Sequence, residues 1–421
     1  MEPLGILALQ NIPRIGDKTL NNILSLPNST DPASPHDLYK IIKEAKLKFN
    51  KIPLPDFNTV EKGWAKAIEI LEKSKENDVK IIGKNSPYYP SLLLKTDNPP
   101  ELLHVKGNID ILNDNSIAIV GTRKPTEYGI CQAINSGERF AEQNYVIVSG
   151  LAKGIDTAAH EGALNVRGKT IAVLAHGLHT IYPKENKKLA EGILDKDGVL
   201  ISEYFWGKKS TKGSFVARDR IQSGLSLSVL VIETKEKGGT MHTVNYCNEQ
   251  GRLLIVLETP KDLNYIQHYT GNLKLINEKL ADFVLRCDFE SLKCSILLNQ
   301  CEDNTSNSDL ENKYVNNIGC LHSTKIKIED SKIQNFYNYI LNYSFPYKLE
   351  CSKMNNEKSF RDYDIPRKCL KCENFDECKL IEQGFIELCP FDRNDIDFSN
   401  SRKEVNHYYK KLRSQNIQDF F

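Results

Sequence analysis

The 421-residue chain has no apolar stretch approaching the ~20 residues that a helix needs to cross a bilayer. Its first residues, Met1-Glu2-Pro3-Leu4-Gly5, lack the basic segment and long apolar run of a secretory leader. A cytoplasmic location with no membrane partner is therefore expected. Charge of one sign is also missing, since 56 Lys and Arg stand against 55 Asp and Glu, for a net charge of +1. A phosphate-bearing partner would have to be held by a local patch, not by overall charge. Cysteine is scarce before residue 285, where only Cys131 and Cys247 occur, each alone in a helical pattern as a buried thiol would be. Disulfides are not expected in a cytosolic chain. Neither G-x-G-x-x-G nor G-x-x-x-x-G-K-[ST] follows the first strand pattern, which counts against NAD and against a P-loop NTPase. No constellation combines a nucleophile, a base and an orienting group.

Four regions can be read. Residues 1–75 carry helical patterns, with Ile12-Pro13-Arg14-Ile15-Gly16-Asp17-Lys18 as a turn compatible with a helix-hairpin-helix or with a plain packing module. Residues 76–290 form the main domain, opening on a proline-rich connector up to residue 115. Residues 291–319 are polar enough for a linker, and 320–421 form a cysteine-bearing C-terminal extension. Within the main domain, Ile117–Val120, Tyr145–Val148, Thr170–Leu174, Val199–Ile201, Leu227–Ile232 and Leu253–Leu257 are continuous apolar runs separated by helical patterns. Strands buried on both faces and alternating with helices predict an α/β fold: a Rossmann-like, doubly wound, mainly parallel sheet.

In such a sheet ligands bind beyond the carboxyl ends of the strands. The first strand is followed by Gly121-Thr122-Arg123-Lys124, the second by Ser149-Gly150-Leu151-Ala152-Lys153-Gly154, and the fifth by Glu233-Thr234-Lys235-Glu236-Lys237-Gly238-Gly239-Thr240-Met241-His242-Thr243. Glycines admit a phosphate to the backbone, helix N-termini aim N–H groups at it, and hydroxyls add donors. These loops are expected to converge on one anion pocket. Phe215, Arg218 and Arg220, ahead of the fifth strand, offer a base-stacking ring and phosphate forks, or else belong to a solvated helix. Asp156 and His160 lie four apart, with Asp156 expected as a helix N-cap. His176 and His179 lack a third metal ligand, and Glu203 and Glu233 end strands where they could bind a ribose or cap a turn.

Ala118-Ile119-Val120-Gly121-Thr122-Arg123 with Tyr128-Gly129 resembles the first phosphate loop of the DprA (Smf) family, the DNA-processing proteins of bacterial transformation. So do Val148-Ser149-Gly150-Leu151-Ala152-Lys153-Gly154-Ile155-Asp156, Ile181-Tyr182-Pro183-Lys184-Glu185-Asn186, Ile201-Ser202-Glu203-Tyr204 and Glu249-Gln250-Gly251-Arg252. The resemblance covers roughly residues 80–260. It implies a homodimer that binds single-stranded DNA and helps load a RecA-type recombinase, without turnover and with no cofactor in the Rossmann-like domain. By match, Arg123, Arg218 and Arg220 would hold phosphates, while Ser149, Gly150, Lys153, Gly239, Thr240 and Thr243 would line the pocket. Three departures stand out. Asp219 replaces the asparagine usual between the two arginines, Gly238-Gly239 replaces Ser-Gly, and His176 stands where small residues are usual. Two other readings stay open: a nucleoside-monophosphate phosphoribohydrolase of the cytokinin-activating type, whose characteristic glutamate is missing after Gly238-Gly239-Thr240, and a nucleotide sensor.

Cys369-x2-Cys372-x5-Cys378-x10-Cys389 has the thiolate spacing of a metal site. Four thiolates suit tetrahedral zinc, and an iron–sulfur cluster, with Cys351 as a candidate ligand, is also compatible. Residues 361–400 hold 6 basic and 10 acidic side chains, which favours a structural or protein-contact role over DNA binding.

Overall fold

The computed structural model describes residues 1–27, 31–258, 267–287, 294–298, 331–333 and 335. One compact unit takes in Met1–Cys287 and Ile296–Tyr339; a second, Asp288–Ser295 with Ile340–Phe421, falls almost wholly outside the described residues.

The chain opens with four helices, α1 (Pro3–Gln10), α2 (Asp17–Leu24), α3 (Pro35–Lys48) and α4 (Phe57–Glu76). Their starts are written locally. Ser34 caps α3 by accepting from the Asp37 N–H at 3.3 Å, with Pro35 at the first helical position. Asp56 caps α4 by accepting from the Thr59 N–H at 2.8 Å. Their apolar faces meet in a core built from Leu7, Leu9, Ile23, Leu38, Ile42 and Ile70, which also reaches Leu102 in the sheet.

The sheet contains β1 (Val79–Gly83), β2 (Leu102–Gly107), β3 (Ser116–Val120), β4 (Val146–Ser149), β5 (Thr170–Leu174), β6 (Val199–Ser202), β7 (Ser228–Val231), β8 (Leu253–Leu257), β9 (Phe283–Cys287) and β10 (Cys294–Leu298). Their order is β1-β2-β6-β5-β4-β3-β7-β8-β9-β10. From β6 to β9 all neighbours are parallel, whereas β1 and β2 pair antiparallel with each other and β2 pairs antiparallel with β6. Among the described residues, six helices cross between the parallel strands: α6 (Glu127–Glu142), α7 (Ile155–Asn165), α8 (Lys187–Asp195), α9 (Lys212–Leu225), α10 (Thr240–Glu249) and α11 (Thr270–Asn277); the short α5 (Ser91–Leu94) lies between β1 and β2. The Rossmann-like, mainly parallel α/β fold expected from the apolar runs is therefore present. The antiparallel edge was not expected. The segment read as a proline-rich connector contributes two strands, because Pro99-Pro100 end at the start of β2 and its apolar residues pair with β6.

From β3 the chain moves outward through β4, β5 and β6, then returns to β7 on the opposite side of β3. The gap between β3 and β7 is the topological switch point, where open α/β sheets hold their ligands. Buried polar side chains also tie the ends of β7 and β8. Asn272 on α11 donates to the carbonyls of Ile232 (2.9 Å) and Leu257 (3.0 Å) and accepts from the Thr234 N–H (2.9 Å). Among the described residues, no helix is long and apolar enough to cross a membrane.

Helices α6 and α7 cross almost backbone to backbone. A Cβ on Gly162 would lie 2.2 Å from the Ile134 carbonyl oxygen, and one on Gly137 would lie 2.6 Å from that of Ala159. Gly162→Ala should therefore destabilise the chain by about 1–3 kcal/mol through overpacking. Helix propensity alone predicts the opposite, a gain of up to about 1 kcal/mol. Urea unfolding decides between them, and a stability equal to or above that of the parent would contradict this crossing.

Candidate nucleic-acid interface

Because β4, β3 and β7 are neighbours, the three glycine-bearing loops emerge side by side, and buried bonds lock them together. The Thr122 N–H donates to the Glu233 carbonyl (2.8 Å), and the Ile155 N–H donates to the Thr122 carbonyl (3.2 Å). The Glu233 side chain is fully buried. It accepts from the Thr126 N–H at 3.0 Å and the Thr126 hydroxyl at 2.8 Å, and His268 Nδ1 lies 3.6 Å from it. Thr126 in turn caps α6 by accepting from the Gly129 N–H at 3.1 Å. Glu233 is thus the clasp between the ends of β3 and β7, not a free ribose ligand. Gly154 has φ +83°, and a Cβ there would fall 2.5 Å from the Thr122 carbonyl, so only glycine lets the second loop close on the first.

A charged layer lies beneath the second loop. Asp156 is the second residue of α7, which Gly154 precedes. Its carboxylate accepts from the Gly150 N–H (3.1 Å) and the Ala152 N–H (3.3 Å), so it fastens the loop upstream where an N-cap had been expected. Burial pushes the Asp156 carboxyl up, against the pull of Arg218 and of these N–H donors. The Arg218 guanidinium lies against Gly150, where a Cβ would come within 1.4 Å of Nη1. It donates to the Val173 carbonyl at 2.8 Å, and its Nε stands 3.2 Å from Asp219 Oδ1. Gln222, with its amide oriented to satisfy both neighbours, donates to Asp219 (3.1 Å) and accepts from the Gly150 N–H (2.8 Å). Burial pushes Asp219 up to about 6; Arg218 opposes the rise and the Asp156 carboxylate adds to it.

The sequence-derived site residues separate into two groups. Arg218 and Ser149 are buried and engaged: the Ser149 hydroxyl donates to the Ile119 carbonyl at 2.7 Å. Arg220 pairs with Glu203 and donates to the Asn98 carbonyl at 2.8 Å, which also accounts for Glu203. Gly121 sits under Ile155, and Gly238 packs on Thr234. Thr240 and Thr243 are buried in the first turn of α10. The Thr122 hydroxyl accepts from the Lys124 N–H at 3.2 Å. Open to solvent are Arg123, Lys124 and Lys153, the last paired with Glu185 at 2.6 Å. A Cβ on Gly239 would meet nothing within 4 Å, so the start of α10 is open. Arg123 lies over the Phe215 ring with its guanidinium carbon 5.3 Å from the ring centroid, and Tyr182 meets Phe215 at 5.7 Å between ring centroids. Sequence reasoning missed Gln222 and the placement of Tyr182, whose only signal was its position in Ile181-Tyr182-Pro183-Lys184-Glu185-Asn186.

His160 Nδ1 lies 2.7 Å from Thr170 Oγ1, and burial holds its imidazole down to about 3; burial lowers His176 as well. These are neutral interior side chains. Among the described residues no group of His, Cys, Asp and Glu could hold a metal. Cys351, Cys369, Cys372, Cys378 and Cys389 lie outside the described residues.

Residues 80–292 match the family model for DNA recombination-mediator protein A. The chain belongs to that family. It is 38% identical over 213 residues to Protein Smf of Synechocystis, a match covering 50% of this chain and 52% of that one, about half the relative's length. With the DNA processing protein DprA of Bacillus subtilis it shares 37% identity over 238 residues, covering 56% of this chain and 76% of that one. The X-ray structure of Streptococcus pneumoniae DprA aligns with a TM-score of 0.55 at 28% identity, over 66% of this chain and 93% of that one. The fold and the DNA-processing family named by the resemblance are both met.

Asp219 provides a stability test. Its folded pKa stands above the usual 3.8 of an aspartate, so its contribution is full below that value and is lost as pH rises through about 6. The loss is on the order of 2–3 kcal/mol. Asp219→Asn mimics the neutral acid, so its stability relative to the parent should be more favourable at pH 7.5 than at pH 4 in denaturant titrations. An identical difference at both pH values would contradict the buried placement of the carboxyl.

Proposed function

We propose that this member of the family binds single-stranded DNA across the strand-end loops and acts as a recombination mediator, without catalytic turnover. In this reading it works as a homodimer and hands its strand to a RecA-type recombinase. The observation that carries it is the exposed Arg123 guanidinium stacked on Phe215 at the switch point, beside the open start of α10. A cation and an aromatic ring side by side fit a phosphate and an unstacked base, which a single strand offers and a duplex does not. The N-terminus of α10 adds an N–H dipole of the sign a phosphate requires. The names of the relatives, DNA processing proteins, agree with a DNA ligand.

With Arg218 and Arg220 committed to protein partners, Arg123 is the principal phosphate contact of this reading. Arg123→Ala should weaken binding of a single-stranded oligonucleotide roughly tenfold at fixed salt. It should also make the slope of log affinity against log salt shallower by about 0.7, one phosphate contact on a single strand. Fluorescence anisotropy titrations at several salt concentrations measure both. Unchanged affinity and slope would remove the interface from this position.

A further inference from the structure

We infer that Tyr182 is a base-stacking face of this interface, receiving a nucleobase of the bound single strand on its exposed ring. The inference rests on the single-strand reading above and adds to it a residue and a loop, 181–186, that this reading did not use. Tyr182 exposes 52% of its surface, although an aromatic ring gains most when covered. It is not an isolated surface ring. It packs against Phe215, with 55° between the ring planes, and Phe215 is flanked in turn by Arg123. Guanidinium, phenyl and phenol therefore form a continuous row that starts at the switch point and ends on an open face.

The loop carrying Tyr182 is fastened to the loop after β4. Pro183 is buried, and buried Asn186 donates to the carbonyls of Leu151 (2.9 Å) and Ala152 (3.4 Å) and to the Thr157 hydroxyl (2.8 Å). Lys153 pairs with Glu185 across the same seam. An amide spent in this way fastens the loop before any ligand arrives, so stacking needs less further ordering of the chain. Lys184, two residues after Tyr182 in the same loop, is exposed. A half-open aromatic on a fastened loop, in a row with a ring that carries a guanidinium, is an arrangement that holds single strands irrespective of sequence.

The test compares the full chain with Tyr182→Ala and Tyr182→Phe, using a thymidine oligonucleotide and a strand of equal length made of abasic deoxyribose phosphate. Tyr182→Ala should bind the thymidine strand roughly 10- to 100-fold more weakly. Its salt slope should be unchanged, because no cation is removed, and Tyr182→Phe should bind as the parent does. The abasic strand should be bound equally by all three. Equal binding of the thymidine strand by Tyr182→Ala and the parent would overturn the inference while leaving the strand-binding reading intact. So would a loss that is the same on the abasic strand, which would mark a collapsed loop or a partner surface. Failure of the parent itself to bind either strand would overturn both.

Discussion

A carboxylate buried without solvent must be fully hydrogen-bonded, and the way Glu233 meets that requirement shapes the whole strand-end surface. Its acceptors go to the N–H and hydroxyl of Thr126, more than a hundred residues earlier, and its own carbonyl takes the Thr122 N–H. The loop bearing Arg123 is thereby fixed to the end of β7. The next link, from the Thr122 carbonyl to the Ile155 N–H across Gly154, carries the loop after β4 into the same assembly. Asn186 then fastens the Tyr182 loop to that second loop. Four segments from four strand ends are held by a handful of buried polar contacts, each of which would be costly to leave unmade.

This economy divides the cations sharply. Arg218 and Arg220, the residues that look most like phosphate forks in the sequence, are consumed by Val173, Asp219, Glu203 and Asn98. They support the surface from below. Asp219, which reads as a misplaced negative charge among arginines, sits against the buried Arg218, with Gln222 completing its bonds. Arg123 and Lys124 remain exposed, Arg123 over Phe215, while exposed Lys153 pairs with Glu185. A chain with almost balanced overall charge can still present a local anion surface in this way.

The parallel sheet was legible because its strands are buried on both faces, which writes them as uninterrupted apolar runs such as Ile117–Val120 and Leu253–Leu257. The antiparallel edge was not: β1 is exposed at Lys80 and β2 follows two prolines, so neither presents such a run. The positions of the site loops followed from topology, since residues after adjacent strand ends must share one edge. The fate of each side chain did not follow. A sequence shows that residue 218 is an arginine but not that it lies on Gly150, nor that Phe215, ninety-two residues after Arg123, stacks on it. Contacts between segments far apart in sequence decide which charges are free, and pattern carries no trace of them.

The central claim is that these four segments act as one preformed surface for a single strand. Amide hydrogen exchange of the full chain, with and without a single-stranded oligonucleotide, tests it most directly. The account predicts added protection together at residues 121–126, 149–154, 181–186 and 238–243, with the opposite edge at β1 unchanged. Protection confined to the N-terminal helices, or to one of these loops without the others, would contradict it.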